Sequence, residues 1–481
     1  MNVQDMTTPL VVDAPCGKLQ GVRKGPVAAF KGIPFAKPPV GRRRWAPPEP
    51  LEPWAGVREA VAFGNVCPQA PTVLEGIIGS TMGEQADDCL YLNVWTPGLD
   101  GPKRPVMVWF HGGAFVLGAG SQGIYNGRAL AERTGVVVVT VNYRLGSFGF
   151  LNLRDATSGA IPGSGSEGLL DQIASLHWVK ANIEAFGGDP GNVTIFGESA
   201  GGMSVSALLA SPLAKGLFHK AIAQSGGAHI GYDRDRAARV GRAVLDELGL
   251  TPSDGQRLYD APYAAIIKAQ IAILTDSRDG DDRRRLGRMP FQPCIDGDVI
   301  PIRPIDAVRD GSAAGVPLMT GTTLEEWKLF SAAVPSLRMM FERGLEKRVV
   351  RAFGEADGRR LLAAYAQGSP FERWNQIQTA RVFALPADRL ALAQRAHEPR
   401  VYVYRFDWKS PFMGGMFGAC HALELGFMWG THTIKMANKF FGTGPDAERL
   451  ATTMMDAWAT FAANGDPETH ATGGWNAYDG N

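Results

Sequence analysis

Short apolar runs alternate along the chain with longer stretches in which apolar residues recur every three or four positions. Six largely apolar runs cover residues 105–110, 135–141, 192–196, 220–224, 316–320 and 401–406. Runs of this length are typical of strands that are covered on both faces of a sheet. Between the second and third runs, residues 168–185 place Leu169, Ile173 and Leu176 at helical spacing, as in a helix that connects parallel strands. The alternation predicts an α/β fold with a mostly parallel central sheet.

Two other regions have a different pattern. The first 100 residues are rich in Pro and Gly and lack a long periodic helix, which predicts short strands and ordered loops lying on the main sheet. A helical insertion is predicted over about 328–394, where 337–350 and 359–366 carry helix formers with apolar residues three and four apart. Because no Ser/Gly linker or charge run marks a boundary, the sequence predicts one domain over 1–481.

Composition narrows the class of protein. The 481 residues include 49 Lys and Arg against 48 Asp and Glu, a net charge of +1, which argues against nucleic acid or an anionic membrane as the main partner. Five cysteines without a Cys-x-x-Cys pair indicate neither a disulfide framework nor a zinc site. The first residues lack a secretory signal pattern, and no apolar run approaches the roughly 20 residues of a membrane span. We therefore expect a soluble, cytoplasmic protein.

The strongest motif lies between a predicted strand and a predicted helix. Residues 197–201 read Gly-Glu-Ser-Ala-Gly, directly after the run 192–196 and before an apolar helical stretch over 203–209. In this context Gly-x-Ser-x-Gly predicts a nucleophilic serine on a tight turn, where the glycines make room for the backbone and the helix N-terminus favours negative charge. The alternative is a serine that only caps the helix. The flanking strand and helix favour Ser199 as a nucleophile.

A second glycine motif follows the run 105–110. Residues 111–114 read His-Gly-Gly-Ala, like the loop whose backbone N–H groups bind the substrate oxyanion in lipases and esterases. Adjacent glycines let the backbone approach a ligand that a Cβ would obstruct, although an ordinary glycine turn is the alternative. We expect Gly112, Gly113 and the N–H of Ala200 to form an oxyanion hole. Glycine supplies 59 of the 481 residues, above the usual share of about 7%, and is densest at such motifs.

These motifs and several other segments resemble the type B carboxylesterases, which include cholinesterases and bacterial p-nitrobenzyl esterases. Residues 30–36 read Phe-Lys-Gly-Ile-Pro-Phe-Ala, 87–93 read Asp-Asp-Cys-Leu-Tyr-Leu-Asn and 142–146 read Asn-Tyr-Arg-Leu-Gly, and the likeness extends over about 17–478. The resemblance implies an α/β-hydrolase fold in which helical insertions form a cap over the active site. It also implies a serine hydrolase that cleaves carboxylic esters with hydrophobic acyl or alcohol groups through a Ser-His-Glu triad and an acyl-enzyme, with no metal or organic cofactor.

The order of an α/β-hydrolase places the acid and then the histidine after the serine. His421 is favoured as the base, because it follows the predicted strand 401–406 and its setting over 418–425 resembles the family's catalytic histidine motif. The resemblance assigns the acid to Glu326, the second member of an acidic pair after the run 316–320, with Glu325 as the alternative. The chain has Trp327 where family members often carry glycine, which leaves the form of the local turn open.

Weaker signals suggest further residues. Glu198 is a candidate buried carboxylate bonded to water or to Ser225, and a purely structural role is an equal alternative. Cys67 and Cys89 resemble a pair that is bridged in secreted relatives, but a reducing cytoplasm favours thiols. Apolar residues are candidates for the substrate pocket, although core packing explains each of them as well. They are Leu117, Phe412, Met413, Met416, Phe417, Phe427, Met428 and Trp429, with Ile77 and Ile78 as other wall residues.

Two alternative functions stay open. The same triad could act on amides, carbamates or thioesters, which sequence does not separate from esters. Some esterase-fold relatives are non-catalytic binding proteins, but those typically lose the serine or the histidine that this chain keeps. The expected partner is a small-molecule ester, with no nucleic acid and no membrane, and the expected state is a monomer or weak homo-oligomer.

Overall fold

The computed structural model describes residues 7–72, 82–275, 286, 289–332 and 334–480. The strands are β1 (Thr7–Ala14), β2 (Gly17–Lys24), β3 (Val27–Pro34), β4 (Val57–Glu59), β5 (Tyr91–Thr96), β6 (Arg104–Phe110), β7 (Val137–Val141), β8 (Gly188–Glu198), β9 (Lys220–Gln224), β10 (Tyr232–Asp233), β11 (Cys294–Ile295), β12 (Leu318–Thr323) and β13 (Val401–Phe406). The main helices before β12 are α1 (Arg128–Thr134), α2 (Gly146–Gly149), α3 (Leu153–Ala156), α4 (Glu167–Asn182), α5 (Ala200–Ala210), α6 (Arg234–Glu247), α7 (Tyr263–Thr275) and α8 (Pro304–Arg309).

Eight further main helices follow β12 in the part of the chain that the structure describes. They are α9 (Lys328–Ala332), α10 (Glu342–Phe353), α11 (Glu355–Ala364), α12 (Pro370–Thr379), α13 (Leu385–Arg395), α14 (Leu425–Met428), α15 (Ala437–Phe441) and α16 (Pro445–Asn464). A π-helical turn at Ala380–Ala384 joins α12 to α13. Among the helices of the described ranges, none has both the length and the apolar character that crossing a bilayer demands.

A single large sheet runs through the molecule. Its order is β1-β2-β3-β5-β7-β6-β8-β9-β12-β13, with β4 beside β2. The six strands from β7 to β13 in this order are parallel, whereas β1, β2, β3 and β5 pair antiparallel. The mostly parallel sheet of the predicted α/β fold is confirmed. The sequence predicts that the N-terminal strands lie on the main sheet, and this is wrong. They belong to the sheet and form one edge of it, because β5 pairs with β7.

Alternate residues of the central strands face two separate cores, because successive side chains of a strand point to opposite faces. In β6, Val106, Val108 and Phe110 belong to the first core, and Met107 and Trp109 belong to the second. Helices α4, α5 and α13 contribute to the first core, and α1 and α16 to the second. The parallel strands therefore lie between two layers of helices, which explains their continuous apolar sequences.

The predicted strand positions agree with the structure, with shifts at some ends. The runs 220–224 and 401–406 are confirmed as β9 and β13. The run 135–141 begins later, because Gly135 has a φ of +77° and its N–H bonds to the Ala131 carbonyl to close α1. The run 192–196 is part of a longer strand, Gly188–Glu198.

The segment between β12 and β13 is mainly helical and brings two rings to His421. It contains α9 to α13, with a small core of its own made by Leu345, Val349, Trp374 and Ile377. The helix predicted over 337–350 begins only at Glu342, and the one predicted over 359–366 lies within Glu355–Ala364. The rings of Phe330 and Phe383 both contact His421, so this insertion covers that residue.

A buried ion pair ties α4 to the N-terminal region. The Arg144 guanidinium donates to both carboxylate oxygens of Asp171, at 2.8 and 2.7 Å, and to the Ala46 carbonyl at 2.7 Å. The two side chains are 2% and 0% exposed. Loss of one partner would leave the other charge buried without compensation, which costs far more than losing a surface pair.

We expect Asp171→Ala to destabilise the protein by about 3–5 kcal/mol, because it leaves the Arg144 charge buried and unpaired. Urea unfolding measures the loss as a lower midpoint. The matched control is Glu355→Ala, which breaks the exposed pair with Arg359 and should leave the midpoint near that of the wild type. Equal midpoints for the two variants would contradict this account.

Candidate active site

Ser199 occupies a strained turn between β8 and α5. Its φ is +58° and its ψ is −123°, a conformation that side chains rarely adopt outside functional turns. The Ser199 N–H donates to the Gln224 carbonyl at 2.9 Å, which fixes the turn against β9. The hydroxyl makes no capping bond to α5, so the helix-cap alternative lacks the bond that defines it. The partly exposed side chain is therefore free to meet a ligand.

The two glycines of the serine motif are required by close backbone contacts. A Cβ on Gly201 would lie 1.9 Å from the Phe110 carbonyl oxygen, and one on Gly197 would lie 2.5 Å from the Gly201 carbonyl carbon. Both distances are far below van der Waals contact. Only glycine allows the first turn of α5 to pass this close to the end of β6.

The predicted oxyanion donors lie beside Ser199. A Cβ on Gly112 would lie 3.1 Å from the Ser199 Cβ, so the glycine loop and the serine turn meet. Within the described ranges, no hydrogen-bond acceptor is found for the N–H groups of Gly112 and Gly113. Ala200 is the first residue of α5, where a helix leaves its N–H groups without partners inside the helix. All three groups can thus donate to an oxygen of a bound ligand.

His111 and Tyr143 fix the glycine loop from behind. His111 Nδ1 lies 2.9 Å from the Gly112 carbonyl, the two rings stack at 4.4 Å, and the Tyr143 hydroxyl donates to the His111 carbonyl at 2.7 Å. Burial lowers the pKa of His111 to about 4, so the ring is neutral at pH 7 and donates from Nδ1. Sequence reasoning missed this role, although His111 stands next to the glycine pair.

Glu326 and His421 form a buried pair. His421 Nδ1 donates to Glu326 Oε2 at 2.6 Å, and Glu326 Oε1 accepts from the Ser225 hydroxyl at 2.6 Å and from the Thr323 N–H at 2.8 Å. These bonds fix the carboxylate, which is 0% exposed. Because Nδ1 donates to the carboxylate, Nε2 is the basic nitrogen of the neutral ring.

Glu325 and Trp327 make different contacts. Glu325 Oε2 accepts from the Ala419 N–H at 2.9 Å, and its Oε1 pairs with Lys328 Nζ at 2.6 Å. The Trp327 N–H donates to Thr379 Oγ1 at 3.1 Å, which joins the turn after β12 to α12. Of the two predicted acids, Glu326 is the one that contacts the histidine ring.

Glu198 lies on the other side of His421. Its Oε1 is 3.1 Å from His421 Nε2, an ion-pair contact without hydrogen-bond geometry. Ser225 is one of the two partners, with water, that the sequence suggests for Glu198, but its hydroxyl donates to Glu326 Oε1 at 2.6 Å. Among the described residues, no hydrogen bond joins His421 to Ser199, so Nε2 faces the residue that precedes the serine.

Three buried carboxyl groups set the charge of this histidine. Burial disfavours the imidazolium, but the charges of Glu198, Glu326 and Glu424 outweigh it and raise the pKa of His421 to about 9. Burial also raises the pKa of Glu198 to about 7, helped by Glu326 and opposed by His421. The pKa of Glu424 lies well above its usual value through burial and the charges of Glu198 and Glu326. The neighbouring carboxylates therefore stabilise the imidazolium relative to the neutral ring.

Two aromatic rings that sequence analysis does not predict lie against the His421 ring. Phe383 and Phe330 lie 4.6 and 5.2 Å from its ring, measured between centroids. Phe383 belongs to the π-helical turn, a distortion often found at functional sites, and Phe330 is 39% exposed. No local sequence pattern predicts that either residue contacts His421, because both belong to the helical insertion between β12 and β13.

The pocket residues predicted from sequence have varied positions. Phe417, Phe427, Met428 and Trp429 are buried in the second core, with α15 and α16. Phe412 and Met416 pack on its edge, and Met413 is 63% exposed. Leu117 is partly buried beside the glycine loop, with its carbonyl oxygen 2.2 Å from a Cβ position on Gly113. Ile77 and Ile78 lie outside the described residues.

Cys67 and Cys89 lie together as buried thiols. A hydrogen bond from Cys67 and burial raise the pKa of the Cys89 thiol well above its usual value. Both thiols line a small cavity together with Pro39, Arg44 and Arg144.

The parallel sheet between helices, with a serine on the turn after β8 and an acid and a histidine beyond β12 and β13, defines an α/β-hydrolase. The model of the Carboxylesterase family matches residues 8–481. The chain belongs to this family and is a carboxylic ester hydrolase.

Named relatives agree with this assignment. The chain is 40% identical to the para-nitrobenzyl esterase of Bacillus subtilis (strain 168), over 97% of this chain and 92% of that protein. It is 35% identical to carboxylesterase 1E of Rattus norvegicus, over 94% of this chain and 84% of that protein. The crystal structure of the Geobacillus stearothermophilus carboxylesterase EST55 at pH 6.2 superposes with a TM-score of 0.86, at 40% identity, over 97% of this chain and 94% of that one.

We expect Glu198→Gln to move the titration midpoint of His421 down by at least about one pH unit, because removing a negative neighbour destabilises the imidazolium. NMR of the labelled histidine side chains measures the midpoint. Glu372→Gln, an exposed carboxylate of α12, is the control and should leave it unchanged. A midpoint that stays in place or rises in Glu198→Gln would show that Glu198 does not stabilise the charged ring.

Proposed function

We propose that the chain hydrolyses esters through an acyl-enzyme on Ser199, with His421 as the base and Glu326 as the acid that orients it. The observation that carries this proposal is the 2.6 Å bond from His421 Nδ1 to the fully buried Glu326 carboxylate. That bond directs Nε2 toward the turn that carries Ser199. A nucleophile, a base and an orienting acid are the parts that acyl transfer requires.

In the first step, Ser199 Oγ attacks the ester carbonyl carbon while its proton passes to Nε2 of His421, whose ring must be in its neutral form to accept it. A rotation of the imidazole or a small shift of the serine brings the two atoms within hydrogen-bond distance, as catalytic contacts often tighten only with substrate. The carbonyl oxygen becomes an oxyanion that accepts from the N–H groups of Gly112, Gly113 and Ala200. Such donors are each worth about 3–4 kcal/mol in a transition state.

In the second step, the tetrahedral intermediate expels the alcohol, which takes the proton from His421. Water then enters, loses a proton to the same nitrogen and attacks the acyl carbon, and the carboxylic acid leaves as Ser199 regains its proton. His421 is an imidazolium during both intermediates. The Glu326 carboxylate, which accepts from Nδ1, and the Glu198 carboxylate beside Nε2 stabilise that state.

The substrate is proposed to carry a hydrophobic acyl or alcohol group. Phe330, Phe383 and Leu117 supply apolar surface beside the base and the glycine loop. Short and medium p-nitrophenyl esters fit this surface. The cytoplasmic location and the monomeric or weakly oligomeric state stay predictions of the sequence, as does a role in amide, carbamate or thioester cleavage.

We expect Ser199→Ala to lower kcat/KM for p-nitrophenyl butyrate at least ~1,000-fold, because the acyl group loses its acceptor. We also expect diethyl p-nitrophenyl phosphate to add one diethylphosphoryl group to Ser199 and release one p-nitrophenolate. Steady-state kinetics and peptide mass measure the two effects. Turnover that survives in Ser199→Ala would exclude this serine as the nucleophile.

We expect Glu326→Gln to lower kcat by a factor on the order of 10³–10⁴, because the amide no longer holds the ring or its positive charge. Glu325→Gln is the matched control, since Glu325 bonds to Ala419 and Lys328 and not to the ring. Steady-state rates on the same ester compare them. A larger loss of kcat in Glu325→Gln than in Glu326→Gln would show that Glu325 is the acid.

A further inference from the structure

A cavity lies at the opposite end of the parallel strands from Ser199. It is a groove of about 690 Å³ whose lining includes Lys220, the first residue of β9. Ser199 follows the other end of the neighbouring parallel strand β8, whose Thr194 pairs with Lys220. Arg400, just before β13, also lines the groove. The cavity is therefore separate from the ester site.

Lys220 is an unusual lysine because it is only 8% exposed. Its ammonium donates to the neutral side chain of Asn192. Within the described part of the chain, it forms no ion pair with a carboxylate. Burial and the charge of Arg400 lower the pKa of Lys220 to about 8, opposed by Asp189, so the group stays mostly protonated at pH 7. A buried cation without an anionic partner is costly unless a ligand supplies the charge.

Ser211 lines the same groove, and among the described residues its hydroxyl has no hydrogen-bond partner. Its side chain is 4% exposed, and its Oγ is enclosed without a hydrogen bond. Buried hydroxyls in folded proteins are nearly always bonded, so this one has unused hydrogen-bonding capacity, which a rotation about χ1 can turn toward a ligand in the groove. The ester mechanism uses neither Ser211 nor Lys220.

His219 adds a further donor. Its Nδ1 accepts from the Val193 N–H at 3.1 Å, so the neutral ring carries its proton on Nε2. Burial and the charge of Lys220 lower the pKa of His219, which favours this neutral form. The groove therefore combines an ammonium group with neutral N–H and O–H donors.

The charges around the groove favour an anion. Its lining carries Lys215, Lys220 and Arg400 against a single carboxylate, Asp189. Arg400 is bonded to Glu398 at 2.8 Å, which leaves Lys220 as the buried cation that needs a partner. Oxyanions accept hydrogen bonds from ammonium and hydroxyl groups together.

We propose that this groove binds a small oxyanion, a carboxylate or a phosphate, with Lys220 Nζ and Ser211 Oγ as its principal donors. Binding leaves ester hydrolysis unaltered in this proposal, because the groove and Ser199 lie at opposite ends of β8. The groove is thus an additional binding site, and its test does not depend on the proposed roles of Ser199, His421 and Glu326.

The test is thermal unfolding of the full chain with sodium phosphate, sodium acetate and sodium chloride at matched ionic strength. We expect phosphate or acetate to raise Tm saturably and beyond chloride, since a ligand of the folded state stabilises it. Lys220→Met should abolish this rise, and Ser211→Ala should raise the half-saturating concentration several-fold. The control Lys18→Met removes an exposed lysine on β2 and should keep the full rise.

Ser211→Ala keeps the test decisive if Lys220→Met fails to fold, because it deletes a hydroxyl that forms no hydrogen bond within the described ranges. A stronger response to phosphate than to acetate would identify the phosphate class, and the reverse would identify the carboxylate class. Equal effects of all three salts would overturn the proposal. So would an unchanged response in Ser211→Ala.

Discussion

The structure depends on one close approach, the contact between the first turn of α5 and the carbonyl end of β6. At Gly201 there is no room for a Cβ, which would lie 1.9 Å from the Phe110 oxygen. This contact fixes the turn after β8 and holds Ser199 at a positive φ. It also brings the glycine loop after β6 beside the serine. Ser199 and the N–H groups that we propose as oxyanion donors are therefore positioned by backbone packing rather than by flexible side chains.

The protonation of His421 depends on electrostatic interactions with the buried carboxyl groups around it. Three glutamates, Glu198, Glu326 and Glu424, are buried around one histidine, and each would be costly to ionise alone. The imidazolium of His421 offsets that cost, and the carboxylates in turn raise its pKa to about 9. In the proposed mechanism the neutral ring takes the Ser199 proton, and the same carboxylates then stabilise the charged ring in both tetrahedral intermediates.

Sequence reasoning reached the parts of the site that depend on local pattern. The glycines of Gly-x-Ser-x-Gly and His-Gly-Gly predict the two turns. Continuous apolar runs predict the central strands. Phe330 and Phe383 could not be predicted, because their place over His421 comes from packing of the insertion. The edge position of the N-terminal strands depends on the pairing of β5 with β7, which no short pattern specifies. Met428 is predicted as a pocket residue because it lies near His421 in sequence, but it is buried in the second core.

The central claim is that Ser199 becomes acylated, and a slowly released acyl group tests it most directly. A p-nitrophenyl carbamate is mixed with the protein, p-nitrophenolate is counted, and the carbamoyl group is located by peptide mass. The account predicts a burst of one p-nitrophenolate per chain and a carbamoyl group on the peptide that carries Ser199. A carbamoyl group on another residue, or continuing release with an unmodified chain, would contradict it.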